Sequence, residues 1–91
     1  MKIAINRCYG GFGLSEKALN LYNEKTKTEI DYSRDIDRAD PILIEVLELL
    51  GDEANTRFSK LKIVEIPDGV EWEIAEYDGY EHVGEKHRKW G

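Results

Sequence analysis

Apolar and polar positions alternate at the start of the chain, where Ile3 and Ile5 flank Ala4 within residues 2–7. That two-residue period predicts a strand. It ends at Asn6 and Arg7, and three glycines follow within four residues, Gly10, Gly11 and Gly13. Ser15 then stands where an N-cap is expected, with Leu14 and Leu19 at the spacing of a hydrophobic staple. Ala18, Leu21 and Tyr22 carry one apolar stripe to about Lys25, which predicts an amphipathic helix. Lys25 and Lys27 suit its negative pole.

Residues 28–38 are polar, but Ile30 and Tyr32 alternate with acidic neighbours, which predicts a short edge strand over residues 29–33. Arg34, Asp35, Asp37 and Arg38 read as a solvated loop. Asp40-Pro41 is a helix start, with Asp as cap and Pro in the first turn, and Gly51 is its stop. Between them Ile42, Leu43, Ile44, Val46, Leu47, Leu49 and Leu50 are apolar and only Glu45 and Glu48 are charged. A helix apolar on nearly every side is either central to the core or also covered by another subunit. A chain of 91 residues has little material to wrap it, which favours a homo-oligomer with Ile42, Ile44 and Leu49 at the interface.

Residues 52–58 read as one more helical turn, with Ala54 and Phe58 on one side. Residues 60–66 read as a strand, Pro67-Asp68-Gly69 as a turn, and residues 70–77 as the clearest strand, with Val70, Trp72 and Ile74 alternating with Glu71, Glu73 and Ala75. Asp78-Gly79 has the composition of a two-residue type I′ turn, so residues 80–83 return antiparallel. The whole is a small single domain, residues 1–91, of the α+β class. Its parts are an N-terminal strand, glycine loop and helix, a second apolar helix, and a C-terminal antiparallel hairpin or meander.

Charge narrows the partners. Thirteen basic against 19 acidic residues leave a net charge of −6, unsuited to whole-surface attraction to nucleic acid or anionic lipid. The single Cys8 excludes an intramolecular disulfide, and with only two histidines no ordinary zinc site is expected. MKIAINR lacks the apolar core of a signal peptide and no run is long enough to cross a bilayer, so the expected location is the cytoplasm.

The glycine loop matches neither GxGxxG nor the phosphate-loop pattern ending in Gly-Lys-Ser/Thr. Two readings stand beside each other. In one, Arg7 and the N–H groups of Gly10, Gly11, Gly13 and Ser15 take phosphate while Tyr9 and Phe12 stack on a base. In the other, the glycines permit a tight turn and Phe12 fills the core. The C-terminal cluster of His82, Lys86, His87, Arg88, Lys89 and Trp90 is the basic part of an acidic chain. If it meets the loop, His87, Arg88 and Trp90 complete a cationic pocket with aromatic walls. Cys8 has no base near it in sequence and is not assigned a catalytic role. Glu71, Glu73 and Glu76 form either a solvated face or an acidic docking stripe.

NRCYGGFGLS near the start, DPILIEVLELLG in the middle, and KLKIVEIPDGVEWEIAEYDGYE with HRKW at the end resemble a family of small phage and prophage proteins. The resemblance spans nearly the whole chain and brings no catalytic residue with it. It implies a viral accessory protein acting in the host cytoplasm, of a kind often concerned with host defence. The expected function is thus non-enzymatic and cofactor-free, the sequestration of a small phosphate-bearing ligand such as a nucleotide signal. The alternative is an acidic inhibitor of a host defence nuclease or another basic host protein.

Overall fold

The computed structural model describes residues 1–85. The chain runs β1 (Lys2–Asn6), α1 (Glu16–Thr26), α2 (Pro41–Leu50), β2 (Leu61–Glu65), β3 (Trp72–Tyr77) and β4 (Tyr80–Glu85). Short 3₁₀ turns occupy Ser33–Asp35 and Gly51–Ala54. This is the α+β class that the alternating segments and helix caps predict. Two antiparallel pairs, β1 with β2 and β3 with β4, form separate sheets. The C-terminal strands therefore make a hairpin and not a meander, because β2 is drawn away to β1.

β1 is the middle layer. Ala4 lies opposite Ile63 and Asn6 opposite Leu61, and directly opposed residues share a face. Ala4 belongs to the main core with Leu14, Ala18, Tyr22, Ile36, Leu43 and Val46, and Leu61 and Ile63 pack against it. Ile3 and Ile5 belong to the opposite face and are also fully buried. Besides β2 and α2, β4 is the element that lies along β1, so the hairpin closes this second side.

The helix ends follow their caps. Ser15 accepts a hydrogen bond from the Ala18 N–H, and Asp40 accepts one from the Ile42 N–H at 2.8 Å with Pro41 in the first turn. α2 ends at Gly51 with φ +56°. Part of its apolar circumference is covered within the chain: Leu43, Ile44, Val46 and Leu47 are buried against α1, β1 and β2. For Ile44 this corrects the expected placement at an interface. Ile44 is only 5% exposed and is a core residue, whereas Leu49 is 63% exposed and Ile42 half-buried. The two-stranded sheet and α1 cover the inner side of the helix, and the Leu49 side stays exposed.

Three further expectations are corrected. Residues 29–32 are not a strand, because the Asn23 amide takes both backbone groups of Ile30, accepting from its N–H at 3.1 Å and donating to its carbonyl at 2.9 Å. That bidentate contact replaces a strand partner. Phe58 does not continue the 3₁₀ turn beside Ala54; Ala54 is buried and Phe58 is exposed. Arg38 is no solvated loop residue, as shown below. No helix of the described residues is long and apolar enough to cross a membrane.

α1 and α2 are also joined by the Tyr22 hydroxyl, which donates to Asp40 Oδ2 at 2.5 Å. Burial first, and then the hydrogen bond to the Asp40 carboxylate, push the Tyr22 phenol from 10.0 up to about 12. A pKa raised on folding gives stability that is complete below the unfolded value and lost as pH rises through the folded one. Stability should therefore fall by roughly 2–3 kcal/mol between about pH 10 and pH 12. Urea unfolding across that window measures it, and Tyr22→Phe should flatten the profile while lowering stability at neutral pH.

Candidate functional site

The glycine loop seats the tip of the β3–β4 hairpin. Asp78 and Gly79 both have positive φ, +50° and +87°, as the type I′ turn requires. The Gly10 N–H donates to the Asp78 carbonyl at 3.1 Å. A Cβ on Gly79 would overlap the backbone nitrogens of Gly10 and Gly11, and one on Gly10 would meet the Phe58 carbonyl at 2.5 Å. Backbone lies directly on backbone here, and glycine is what allows it. Gly10 and Gly11 adopt φ of +147° and +102°, and Gly13 accepts at its carbonyl from the Ser59 hydroxyl at 2.7 Å.

Beneath this seat Asn6 acts as a connector. Its side-chain amide donates to the carbonyls of Cys8 and Gly79, both at 2.6 Å, and its Oδ1 accepts from the Lys60 N–H at 2.8 Å. The open edge of β1 is closed by an ion pair instead of a strand. Arg38 and Glu81 form a two-point fork, with contacts of 2.6 and 2.9 Å, and their side chains are 19% and 6% exposed. The Ala4 N–H donates to the Arg38 carbonyl at 2.8 Å and the Arg38 guanidinium to the Ala4 carbonyl at 3.3 Å. The Asn6 N–H donates to Glu81 Oε1 at 2.8 Å. The Phe12 ring lies under the same guanidinium, its centroid 3.6 Å away. An unpaired edge is thus satisfied by groups from two distant segments, the Arg38 carbonyl and the Arg38 and Glu81 side chains.

The residues expected to hold a ligand divide accordingly. Phe12 is half-buried below Arg38 and packs on the core. The Ser15 hydroxyl caps α1 and donates to the Glu53 carbonyl at 2.7 Å, Glu16 stands in the first turn of that helix, and the Glu53 carboxylate pairs with Lys17 at 3.2 Å. His87, Arg88 and Trp90 lie outside the described residues. Arg7 and Tyr9 do come together, and they do so around Tyr80. Arg7 Nε donates to the Tyr80 hydroxyl at 2.9 Å and its guanidinium carbon stands 4.6 Å from that ring's centroid. The Tyr9 and Tyr80 ring centroids are 5.3 Å apart, and Tyr9 is 64% exposed.

Two lysines join this cluster by strand register. The Arg7 N–H donates to the Lys60 carbonyl at 2.7 Å, which continues the β1–β2 pairing one step past Asn6, and Lys62 lies opposite Ile5. Alternation puts Arg7, Lys60 and Lys62 on one face. None of the three forms an ion pair among the described residues, whereas Lys2, Lys17, Lys25 and Arg38 each do. The result is a shallow cationic surface bordered by two tyrosine rings. Two depressions of about 330 and 160 Å³ lie elsewhere, the first at Lys2, Pro41, Ile44 and Glu48, the second at Ile66, Val70, Trp72 and Val83.

Family models, curated proteins and solved structures contain no match to this chain. Among the described residues no group of three or more His, Cys, Asp or Glu side chains is placed to hold a metal ion. Cys8 is half-buried, its thiol directed to the Tyr9 carbonyl at 3.7 Å.

Sequence reasoning missed Tyr80, Arg38, Glu81, Lys60 and Lys62. One signal for Glu81 was present: with an Asp78-Gly79 turn, it falls on the same face of the hairpin as Ile74 and Val83. A carboxylate at an inward position implies a buried partner. Nothing local marked Arg38 as that partner.

Proposed function

We propose that the protein is a non-enzymatic binder of a small phosphate-bearing ligand with an aromatic base, held on the Arg7–Tyr80–Tyr9 surface. The observation that carries this reading is the state of Arg7. Its guanidinium is oriented by the Tyr80 hydroxyl and ring, has no carboxylate partner among the described residues, and shares Tyr80 as a neighbour with the exposed Tyr9 ring. An oriented guanidinium suits a phosphate and an exposed ring suits a base. Lys60 and Lys62 on the same face add positive charge to a chain that is acidic overall. On this reading the phosphate is recognised by side chains and not by the glycine loop. The likeness to phage proteins supports a sequestering role directed at a nucleotide signal of host defence.

Thermal shift and calorimetric titration against a panel of linear and cyclic nucleotides test it. Removing one stacking ring costs about 1–3 kcal/mol, so Tyr9→Ala should weaken binding from roughly fivefold to a hundredfold. Because the Tyr9 ring is exposed, the variant should keep the fold, which its circular dichroism spectrum checks. Arg7→Gln should weaken binding further and reduce its dependence on salt. Absence of binding across the panel, or unchanged affinity in both variants, would overturn the proposal.

A further inference from the structure

β3 has one neighbour, β4, and its other edge carries no strand among the described residues. The two-residue turn makes Tyr77 and Tyr80 a hydrogen-bonded pair, so the bonding positions of β3 alternate from there. Tyr77, Ala75 and Glu73 bond inward to β4, and the N–H and C=O groups of Trp72, Ile74 and Glu76 point outward from the free edge. None of these outward groups has a backbone partner among the described residues.

The side chains along this edge have two characters. On the solvent face Glu71, Glu73, Ala75 and Tyr77 are exposed. On the other face Val70, Trp72 and Ile74 are only half-buried, and Val70 and Trp72 open into the cleft of about 160 Å³ shared with Ile66, Pro67 and Val83. We infer that the free edge of β3 receives an extended segment of a partner protein in which basic and apolar residues alternate. Its main chain would bond to Trp72, Ile74 and Glu76. Its apolar side chains would cover Trp72 and Ile74 and enter the cleft, and its Lys or Arg side chains would meet Glu71 and Glu73. A second copy of this chain does not fit. Pairing β3 with itself in the frame that bonds Trp72, Ile74 and Glu76 would set the two Glu73 side chains diagonally across the seam, on a face that also carries both copies of Glu71 and no Lys or Arg, and like charges there repel. This surface is independent of the Arg7–Tyr80 ligand site, and either can fail without the other.

The probe is a labelled, end-blocked KVKVKV peptide, with binding read by fluorescence anisotropy on the full chain. Saturable binding is expected, with EVEVEV inert. N-methylation at every second peptide residue should abolish binding in one of its two frames, because strand addition uses alternate N–H groups. Glu71→Lys with Glu73→Lys, both at exposed positions, should weaken KVKVKV by roughly tenfold and confer binding of EVEVEV. No binding at millimolar peptide, or binding indifferent to N-methylation in both frames, would overturn the inference. The second result would mean that simple charge attraction accounts for the complex.

Discussion

Glu81→Ala should lower the unfolding free energy by about 3–5 kcal/mol, the largest effect of any single side chain in this fold. The carboxylate is buried and answers two donors, the Arg38 guanidinium and the Asn6 N–H. Truncation leaves a cation inside the protein with no counter-charge and an edge amide with no acceptor. A domain of this size holds only about 5–15 kcal/mol in all, so much of its stability would go. Arg38→Leu together with Glu81→Leu should recover part of the loss, because neither charge then remains buried. It should not recover all of it, since the Ala4 carbonyl and the Asn6 N–H would still lack partners, at roughly 1–3 kcal/mol each. Urea unfolding of the three proteins tests this. A Glu81→Ala loss below about 1 kcal/mol would mean the pair is not what closes the β1 edge.

Gly79→Ala is expected to be the second most damaging change. Two separate penalties fall on it: strain at φ +87° and overlap with the Gly10 and Gly11 nitrogens. Gly69→Ala isolates the first, because Gly69 has φ +81° but open space around it. The Gly69 variant should lose about 1–2 kcal/mol. The Gly79 variant should lose about 1–3 kcal/mol beyond that, the usual cost of forcing atoms into filled space. Amide hydrogen exchange should show the Gly10 N–H losing protection in the Gly79 variant alone, because its bond to Asp78 requires the docked hairpin. Equal losses in the two variants would remove the close approach as the reason for glycine at this position.

These two results bear on how the site is built. The pair Arg38–Glu81 and the glycine seat both hold the hairpin against β1, and the hairpin supplies Tyr80 to Arg7. Changes at Glu81 or Gly79 should therefore disturb the ligand surface indirectly, whereas Tyr9→Ala removes only the ring contact with Tyr80 and leaves the Arg38–Glu81 pair and the Gly10–Asp78 bond in place. Comparing the three separates docking of the hairpin from recognition of a ligand.

Much of the secondary structure was legible in the chain because its signals are local. The Ser15 cap, Asp40-Pro41 and Gly51 act within one helical turn, and Asp78-Gly79 acts within four residues. Where local signals misled, a distant group had intervened. Ile30 and Tyr32 alternate like a strand, but the Asn23 amide takes the backbone of Ile30. Of the proposed ligand residues, Arg7 and Tyr9 were visible as a cation and a ring beside a flexible loop. Phe12 looked equivalent to Tyr9 and is not, because Arg38 lies over it.

The sequence by itself determined the α+β class, the two helices with their ends, the terminal hairpin, and an acidic chain with local basic residues. The folded arrangement was needed to show that β1 pairs with β2 across more than fifty residues of intervening chain, that α2 buries Leu43, Ile44, Val46 and Leu47 in its own domain, and that the glycine loop serves as a hairpin seat. It also decided that Arg38 meets Glu81, 43 residues on. The division has one physical cause. Caps and turns are satisfied by groups a few bonds away, whereas the partner of a strand edge, a buried charge or an apolar face is whichever group the folded chain delivers.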